Sequence, residues 1–126
     1  KPWQEEILSP GSFQMGYLRK LIEKYGIDLL QPDRNVITNN TFLSTDYIAS
    51  LRASNGSVVL IYNPVQTKFK VSLKKISGNQ VFYSWFNPRN GTSTDKQLLK
   101  NNGFIAEFEP PQTPNELDWV LVLTNS

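Results

Sequence analysis

The sequence predicts a mainly β fold, an antiparallel β-sandwich preceded by one amphipathic α-helix. Three observations predict it. Apolar residues recur with a helical period before Gly26 and with a period of two in several later segments. Clusters of Asn, Gly, Ser and Pro separate those later segments, as expected between strands that reverse direction. The 126 residues suit a single domain.

The helix is predicted just upstream of Gly26. Residues 9–12 supply a capping serine and a proline suited to a first helical turn, and Gly26 suits the position after the last turn. Charged residues lie opposite an apolar stripe. Its members are Gln14, Tyr17, Leu18, Leu21, Ile22 and Tyr25. Such a stripe needs a partner surface, so we expect it to pack against the sandwich or another domain.

The strands are predicted from two patterns. Residues 66–73 and 104–109 alternate between apolar and polar side chains, which is typical of half-buried strands: Phe104, Ala106 and Phe108 share one face. Residues 58–62 and 119–123 are apolar throughout and are predicted to be inner strands covered on both sides. The remaining strong candidates are residues 47–52 and 81–86.

The chain is predicted to have two parts. Residues 1–35 form the helical segment and a connector, and residues 36–126 form the β-sandwich. The chain starts at Lys1, without an initiator Met or a signal-peptide pattern. We therefore expect it to be an excerpt of a longer protein.

The composition argues against catalysis by this chain. It contains no His and no Cys, which removes the commonest acid–base group and the thiolate nucleophile. A net charge of +2 does not supply the concentrated basic face that nucleic acids require. No apolar run approaches the roughly 20 residues of a membrane span. We predict no catalytic residues, no metal site, no cofactor, no nucleic-acid partner and no membrane span.

Two acidic residues have the spacing that a glycosidase-like carboxylate pair would need. Glu107 and Glu109 share one face of a predicted strand, about 7 Å apart by strand geometry. They belong to a regular alternating strand, so a solvated face is favoured, where they could pair with Lys68 and Lys70 if those strands are neighbours. The other acids considered, for metal binding, occur singly: Asp28, Asp33, Asp46 and Asp95.

An aromatic strand carries the candidate ligand-binding site. The candidate residues are Tyr83, Trp85, Asn87, Arg89 and Asn90. Tyr83 and Trp85 share one strand face, and Phe82 and Phe86 share the other. One face must pack inside, whereas the other could present rings to sugars or to the prolines of a collagen-like helix. The favoured alternative is that both faces are covered, one by an opposing sheet and the other by the helix or a neighbouring domain.

Several segments, in their order along the chain, resemble one known family. They are residues 10–19 (PGSFQMGYLR), 32–33 (PD), 59–62 (VLIY), 81–91 (VFYSWFNPRNG) and 118–123 (DWVLVL). Together they resemble the C-terminal part of bacterial apiosidase-like glycoside hydrolases. Those proteins have a (β/α)8 barrel followed by a β-sandwich classified as a collagen-binding domain. The resemblance covers nearly the whole chain and implies that residues 3–26 end the barrel and residues 36–124 form the sandwich.

The resemblance implies a non-catalytic accessory domain of a secreted glycoside-hydrolase-like protein. Its partner would be the catalytic barrel of the same protein, and the family's catalytic carboxylates would lie upstream of Lys1. The expected location is secreted, periplasmic or at the bacterial cell surface. Three functions remain open: a packing module, a binding module for collagen-like protein or polysaccharide, and, least favoured, an autonomous hydrolase.

Overall fold

The structure, a computed structural model, describes residues 15–26, 28–33, 36–37, 49–63, 68–88, 90–112 and 118–125. In these ranges the fold is mainly β, as predicted, with one α-helix and nine strands. The elements in chain order are α1 (Met15–Tyr25), β1 (Leu30–Pro32), β2 (Ala49–Ala53), β3 (Val58–Asn63), β4 (Phe69–Ser72), a 3-10 turn (Leu73–Lys75), β5 (Gln80–Asn87), β6 (Thr92–Ser93), β7 (Gln97–Lys100), β8 (Ile105–Phe108) and β9 (Trp119–Thr124).

The strands form two antiparallel sheets. The larger sheet has the order β1-β2-β3-β9-β5-β6, and β7 also pairs with β5. Strand β9 lies between β3 and β5, so that Leu121 is opposite both Ile61 and Trp85. The smaller sheet consists of β4 and β8, and Ile37 forms an isolated bridge to Val71 of β4. The predicted antiparallel sandwich is confirmed.

One hydrophobic core lies between the two sheets. Because side chains alternate along a strand, every second residue of β3, β5 and β9 points into it. We call this cluster the inner core. Its buried residues are Val36, Ile37, Val59, Ile61, Phe69, Val71, Leu73, Ile76, Val81, Trp85, Phe108, Trp119, Leu121 and Leu123. Burying one large apolar side chain stabilises a fold by roughly 1.5–3 kcal/mol, so this layer contributes much of the stability.

Helix α1 covers the opposite face of the larger sheet. We call the resulting cluster the outer core. Its buried residues are Leu18, Leu21, Ile22, Leu30, Leu51, Ala53, Val58, Leu60, Phe86, Val120 and Val122. Strands β3 and β9 are therefore covered on both faces, which confirms the prediction from their continuous apolar runs. Tyr17 belongs to the predicted stripe but is 43% exposed, whereas Tyr25 is half-buried against the outer core.

The helix ends where the sequence predicts. Gly26 has a φ of +101°, and its N–H donates to the carbonyl of Ile22 at 3.0 Å. The residues that follow, predicted as a connector, include β1, which pairs with β2 and buries Leu30 completely. The connector thus contributes an edge strand to the larger sheet. The division of the chain at residue 35 stays a prediction.

Strand β4 is shorter than the alternating pattern predicts. It ends at Ser72, and the 3-10 turn begins at Leu73, whose side chain is still buried. Residues 66–67 lie outside the described residues. Ser72 was expected on the wet face but is only 6% exposed, because the change to a 3-10 turn interrupts the alternation at this point.

Phe104 is a second departure from the alternating pattern. It was expected on the buried face with Phe108, but it is 72% exposed and precedes β8. Its N–H donates to Oδ1 of Asn102, and its carbonyl accepts from the N–H of Leu73, both at 2.9 Å. These bonds fix the backbone of Phe104 just before β8 begins. At that position the side chains do not yet alternate between the two faces of a strand.

Candidate functional site

The predicted aromatic site lies on β5, with Tyr83 and Trp85 on the side of the inner core. Trp85 is 8% exposed, and its ring meets that of Phe69 edge to face with the centroids 6.1 Å apart. The ring of Tyr83, which is half-buried, lies 5.3 Å from that of Phe108. Both distances suit favourable aromatic pairs. The two rings therefore pack within the domain.

The other face of β5 is also covered along much of its length. Phe86 is 7% exposed and packs in the outer core below α1. Phe82 is half-buried and lies opposite Leu98 of β7. This geometry supports the alternative in which β5 is covered by a sheet on one side and by the helix on the other. A ligand-binding role for Tyr83 and Trp85 stays a prediction.

The predicted polar neighbours lie at the end of β5 and in the turn that leads to β6. Asn87 is 3% exposed, and its carbonyl accepts from the N–H of Gly91 at 2.8 Å. Asn90 is exposed, and its Oδ1 accepts from the N–H of Thr92 at 3.0 Å and from its hydroxyl at 2.7 Å. Arg89 lies outside the described residues. Asn90 is thus exposed in the turn, whereas the ring of Trp85 is buried and that of Tyr83 is half-buried.

The carboxylates of the described residues have structural partners or are dispersed. Glu107 lies opposite Lys70 in the register of β4 and β8, so the two strands are neighbours, which is the condition for their side chains to pair. Asp33 forms an ion pair with Lys75, with Oδ2 and Nζ 3.2 Å apart. Within the described ranges no three acidic side chains come together as metal ligands would, and no helix is long and apolar enough to cross a membrane.

Two further side-chain contacts join strands of the larger sheet to residues that lie outside its strands. The Nε–H of Arg52 donates to the carbonyl of Lys75 at 2.6 Å, next to the ion pair with Asp33. The hydroxyl of Tyr62 donates to Oδ2 of Asp118, a largely buried carboxylate, at 3.3 Å. These groups satisfy one another's hydrogen-bonding needs, which is the usual role of polar groups inside a fold.

A groove between α1 and the β5–β6 turn was not predicted from the sequence. It has a volume of about 260 Å³ and is lined by Tyr17, Lys20, Leu21, Lys24, Phe86, Gly91 and Ser93. We call it the helix–turn groove. The sequence feature that could have indicated a binding groove is the pair of Lys20 and Lys24, which are four residues apart on the helix. The sequence could not show that Phe86 and Gly91, some 62 to 71 residues from these lysines, complete the walls.

Large apolar side chains are exposed at two separate places on the strands. Phe104 is 72% exposed and Ile105 is 57% exposed, at consecutive positions where β8 begins. Leu98, on β7 of the larger sheet, is 59% exposed. Adjacent exposed apolar side chains often mark an interaction surface, whereas single ones are ordinary. We call the pair formed by Phe104 and Ile105 the β8 apolar pair.

Solved structures show the same fold. A protein described as a glycoside hydrolase matches with a TM-score of 0.78 and 24% identity, over 100% of this chain and 28% of that one. A glycoside hydrolase family 5 structure from Bacteroides vulgatus matches with a TM-score of 0.78 and 23% identity, over 99% of this chain and 26% of that one. The chain thus spans about a quarter of the length of these structures. A search among curated proteins found no match.

The sequence also matches a known family over most of its length. The family is described as "Putative collagen-binding domain of a collagenase", and the match covers residues 31–124. This range includes all nine strands except the first residue of β1, and it excludes helix α1. The chain belongs to this family of collagen-binding domains.

Proposed function

We propose that the chain is a non-catalytic accessory domain that acts by contact within a longer glycoside-hydrolase-like protein. Two structures with this fold are described as glycoside hydrolases, and the chain spans about a quarter of each. This supports a parent protein with a separate catalytic part, against which the domain packs. The proposed parent is a secreted, periplasmic or cell-surface bacterial protein.

The observation that carries this proposal is the position of the acidic side chains and the partners that they contact. Glycoside hydrolysis needs two carboxyl groups facing one another across space for a sugar. Here Asp33 is paired with Lys75, Asp118 accepts from Tyr62, and Glu107 is exposed opposite Lys70. With no His or Cys in the sequence, these acids are the main groups available for proton transfer. Their arrangement supports a structural role.

The purified chain is expected not to hydrolyse glycosides. The test is release of nitrophenol from a panel of aryl glycosides, including arabinosides, glucosides and galactosides, at pH values from about 4 to 8. A rate above the buffer blank that survives repeated purification would contradict the proposal. The carboxylates could then be assigned by comparing Glu107→Gln with Glu109→Gln, which remove one charge each from the same strand.

A second candidate function is contact with a collagen-like polymer, and the β8 apolar pair favours it. Phe104 and Ile105 present apolar surface to solvent at 72% and 57% exposure. A collagen helix is an extended, proline-rich rod, so its partner needs apolar side chains on an exposed rim rather than a deep pocket. The family description supports the same class of ligand.

The double variant Phe104→Ser/Ile105→Thr is expected to weaken binding to immobilised collagen by about tenfold, because two exposed apolar contacts are removed. The measurement is surface plasmon resonance with the 126-residue chain. Leu98→Ser is the matched control, since Leu98 is equally exposed at 59% but lies on β7. Equal loss in both variants, or no binding by the unchanged chain, would argue against the β8 apolar pair as a collagen contact.

A further inference from the structure

The helix–turn groove has the form of a small ligand site. Its base is apolar, because Leu21 and Phe86 are buried at 8% and 7% exposure. Its rim is polar, with exposed Lys20, Lys24 and Ser93. A volume of about 260 Å³ lies just below the roughly 300–1,000 Å³ typical of sites for drug-sized ligands. The groove therefore suits one or two sugar-sized rings.

Tyr17 is the exposed aromatic wall of this groove, and the turn holds it in place. A Cβ at position 91 would lie 2.5 Å from Cδ1 of Tyr17, so the ring rests directly against the backbone of Gly91. Gly91 also has a φ of +78°, a conformation that side-chain-bearing residues rarely adopt. The close approach thus depends on glycine. It leaves Tyr17 43% exposed but supported from one side, as a rigid surface for a ligand ring.

The charge of the groove is positive. Lys20 and Lys24 are one helical turn apart, where like charges repel one another. Nζ of Lys20 lies 5.9 Å from the ring centroid of Tyr17, and Nζ of Lys24 lies 5.4 Å from that of Tyr25. Among the residues that the structure describes, the lining contains no acidic side chain. An anion held between the two ammonium groups would relieve their repulsion.

The geometry points to a binding site for a carboxylate-bearing sugar, such as a uronic acid residue, in the helix–turn groove. The apolar face of the sugar ring packs on Tyr17, and the Lys20 ammonium, which lies over that ring in the unliganded chain, moves aside to the carboxylate. The carboxylate lies between Lys20 and Lys24, and a ring hydroxyl bonds to the hydroxyl of Ser93. This site is separate from the β8 apolar pair, and its existence does not depend on the accessory role proposed above.

The test compares two ligands that differ in a single group. Methyl glucuronide carries a carboxylate where methyl glucoside carries a neutral hydroxymethyl group. Titration of the isotope-labelled chain, followed by amide chemical shifts, is expected to give saturable changes centred on α1 and the β5–β6 turn with the glucuronide. We expect the glucoside to bind at least about fivefold more weakly, because it makes no ion pair with the lysines. Added salt should weaken only the glucuronide.

Two double variants test whether the positive charges of Lys20 and Lys24 bind the carboxylate. Lys20→Gln/Lys24→Gln is expected to weaken glucuronide binding about fivefold or more. Lys74→Gln/Lys100→Gln removes the same charge from exposed lysines outside the groove and should leave binding within about twofold. Tyr17→Ala should weaken both sugars, because the supporting ring is lost. Amide spectra of each variant establish that it remains folded.

Several outcomes would overturn the site. Equal affinity for both sugars would show that the carboxylate is not recognised. Equal loss of glucuronide binding in the two double variants would show that the general positive charge of the surface, and not the groove, attracts the ligand. Shift changes outside the groove, or none at high ligand concentration, would exclude the site itself. Tighter binding of a tetra-aspartate peptide would assign the groove to an acidic protein segment instead. None of these results bears on the hydrolysis test, so the two proposals fail separately.

Discussion

Trp85→Ala is expected to lower the free energy of unfolding by about 3–5 kcal/mol, the range found when a large aromatic side chain is removed from a core. Trp85 is 8% exposed and packs edge to face on Phe69 in the inner core. The smaller sheet cannot close fully over the space left behind, because its position is also held by Val71 and Phe108. The measurement is urea denaturation followed by far-UV circular dichroism, which does not depend on the tryptophan that is removed.

Phe104→Ala is the control for this prediction. Phe104 is also aromatic but is 72% exposed, and we expect the free energy of unfolding to change by no more than about 0.5 kcal/mol. A loss below about 1 kcal/mol for Trp85→Ala would show that its ring is not packed as the structure indicates. That result would favour Trp85 as a surface residue for ligand binding, and the collagen assay would be repeated with that variant.

Ile22→Ala is expected to lower the free energy of unfolding by about 2–5 kcal/mol. Ile22 is fully buried on the side of α1 that faces the outer core, where it packs with residues of β2, β3, β5 and β9. If the helix and the sheet form one cooperative unit, loss of this contact destabilises both together. Helix signal by circular dichroism and tryptophan fluorescence from the sheet should therefore give coincident urea transitions at a lower midpoint.

Arg19→Ala is the matched control on the same helix. The Arg19 side chain is 61% exposed and its ion pair with Glu23 spans 3.7 Å, so its removal should change stability by less than about 0.5 kcal/mol. Two separate transitions for Ile22→Ala, with the fluorescence midpoint unchanged, would contradict the single unit. That result would instead support a domain boundary near residue 35, with the helix belonging to a preceding part of the parent protein.

Local pattern was enough to predict several elements of this protein. The helical spacing that ends at Gly26 and the apolar runs of β3 and β9 are properties of near neighbours in sequence, and each predicted its element and its burial. Both runs were rightly expected to be covered on two sides. The pairing of β4 with β8, which places Lys70 opposite Glu107, is a long-range contact that these local patterns leave open.

The candidate site depended on contacts between distant segments. Alternation along β5 showed that Tyr83 and Trp85 share a face, but which face meets the smaller sheet is decided by β4 and β8, which are not adjacent to β5 in the sheet order. The exposure of Phe104 follows from two hydrogen bonds in a turn, which no periodicity encodes. The helix–turn groove arises only because Gly91 meets Tyr17.

By itself, the sequence determined that this chain is a helix followed by an antiparallel sandwich, and it contains none of the histidines or cysteines that most catalytic sites use. Only the tertiary structure decided that Trp85 and Phe86 are buried on opposite faces of β5, that β1 extends the sheet, and that a cationic groove forms beside the helix. The physical reason is the distance along the sequence between the residues involved. Periodicity depends on residues a few positions apart, whereas burial and grooves depend on surfaces that meet only after the chain has folded.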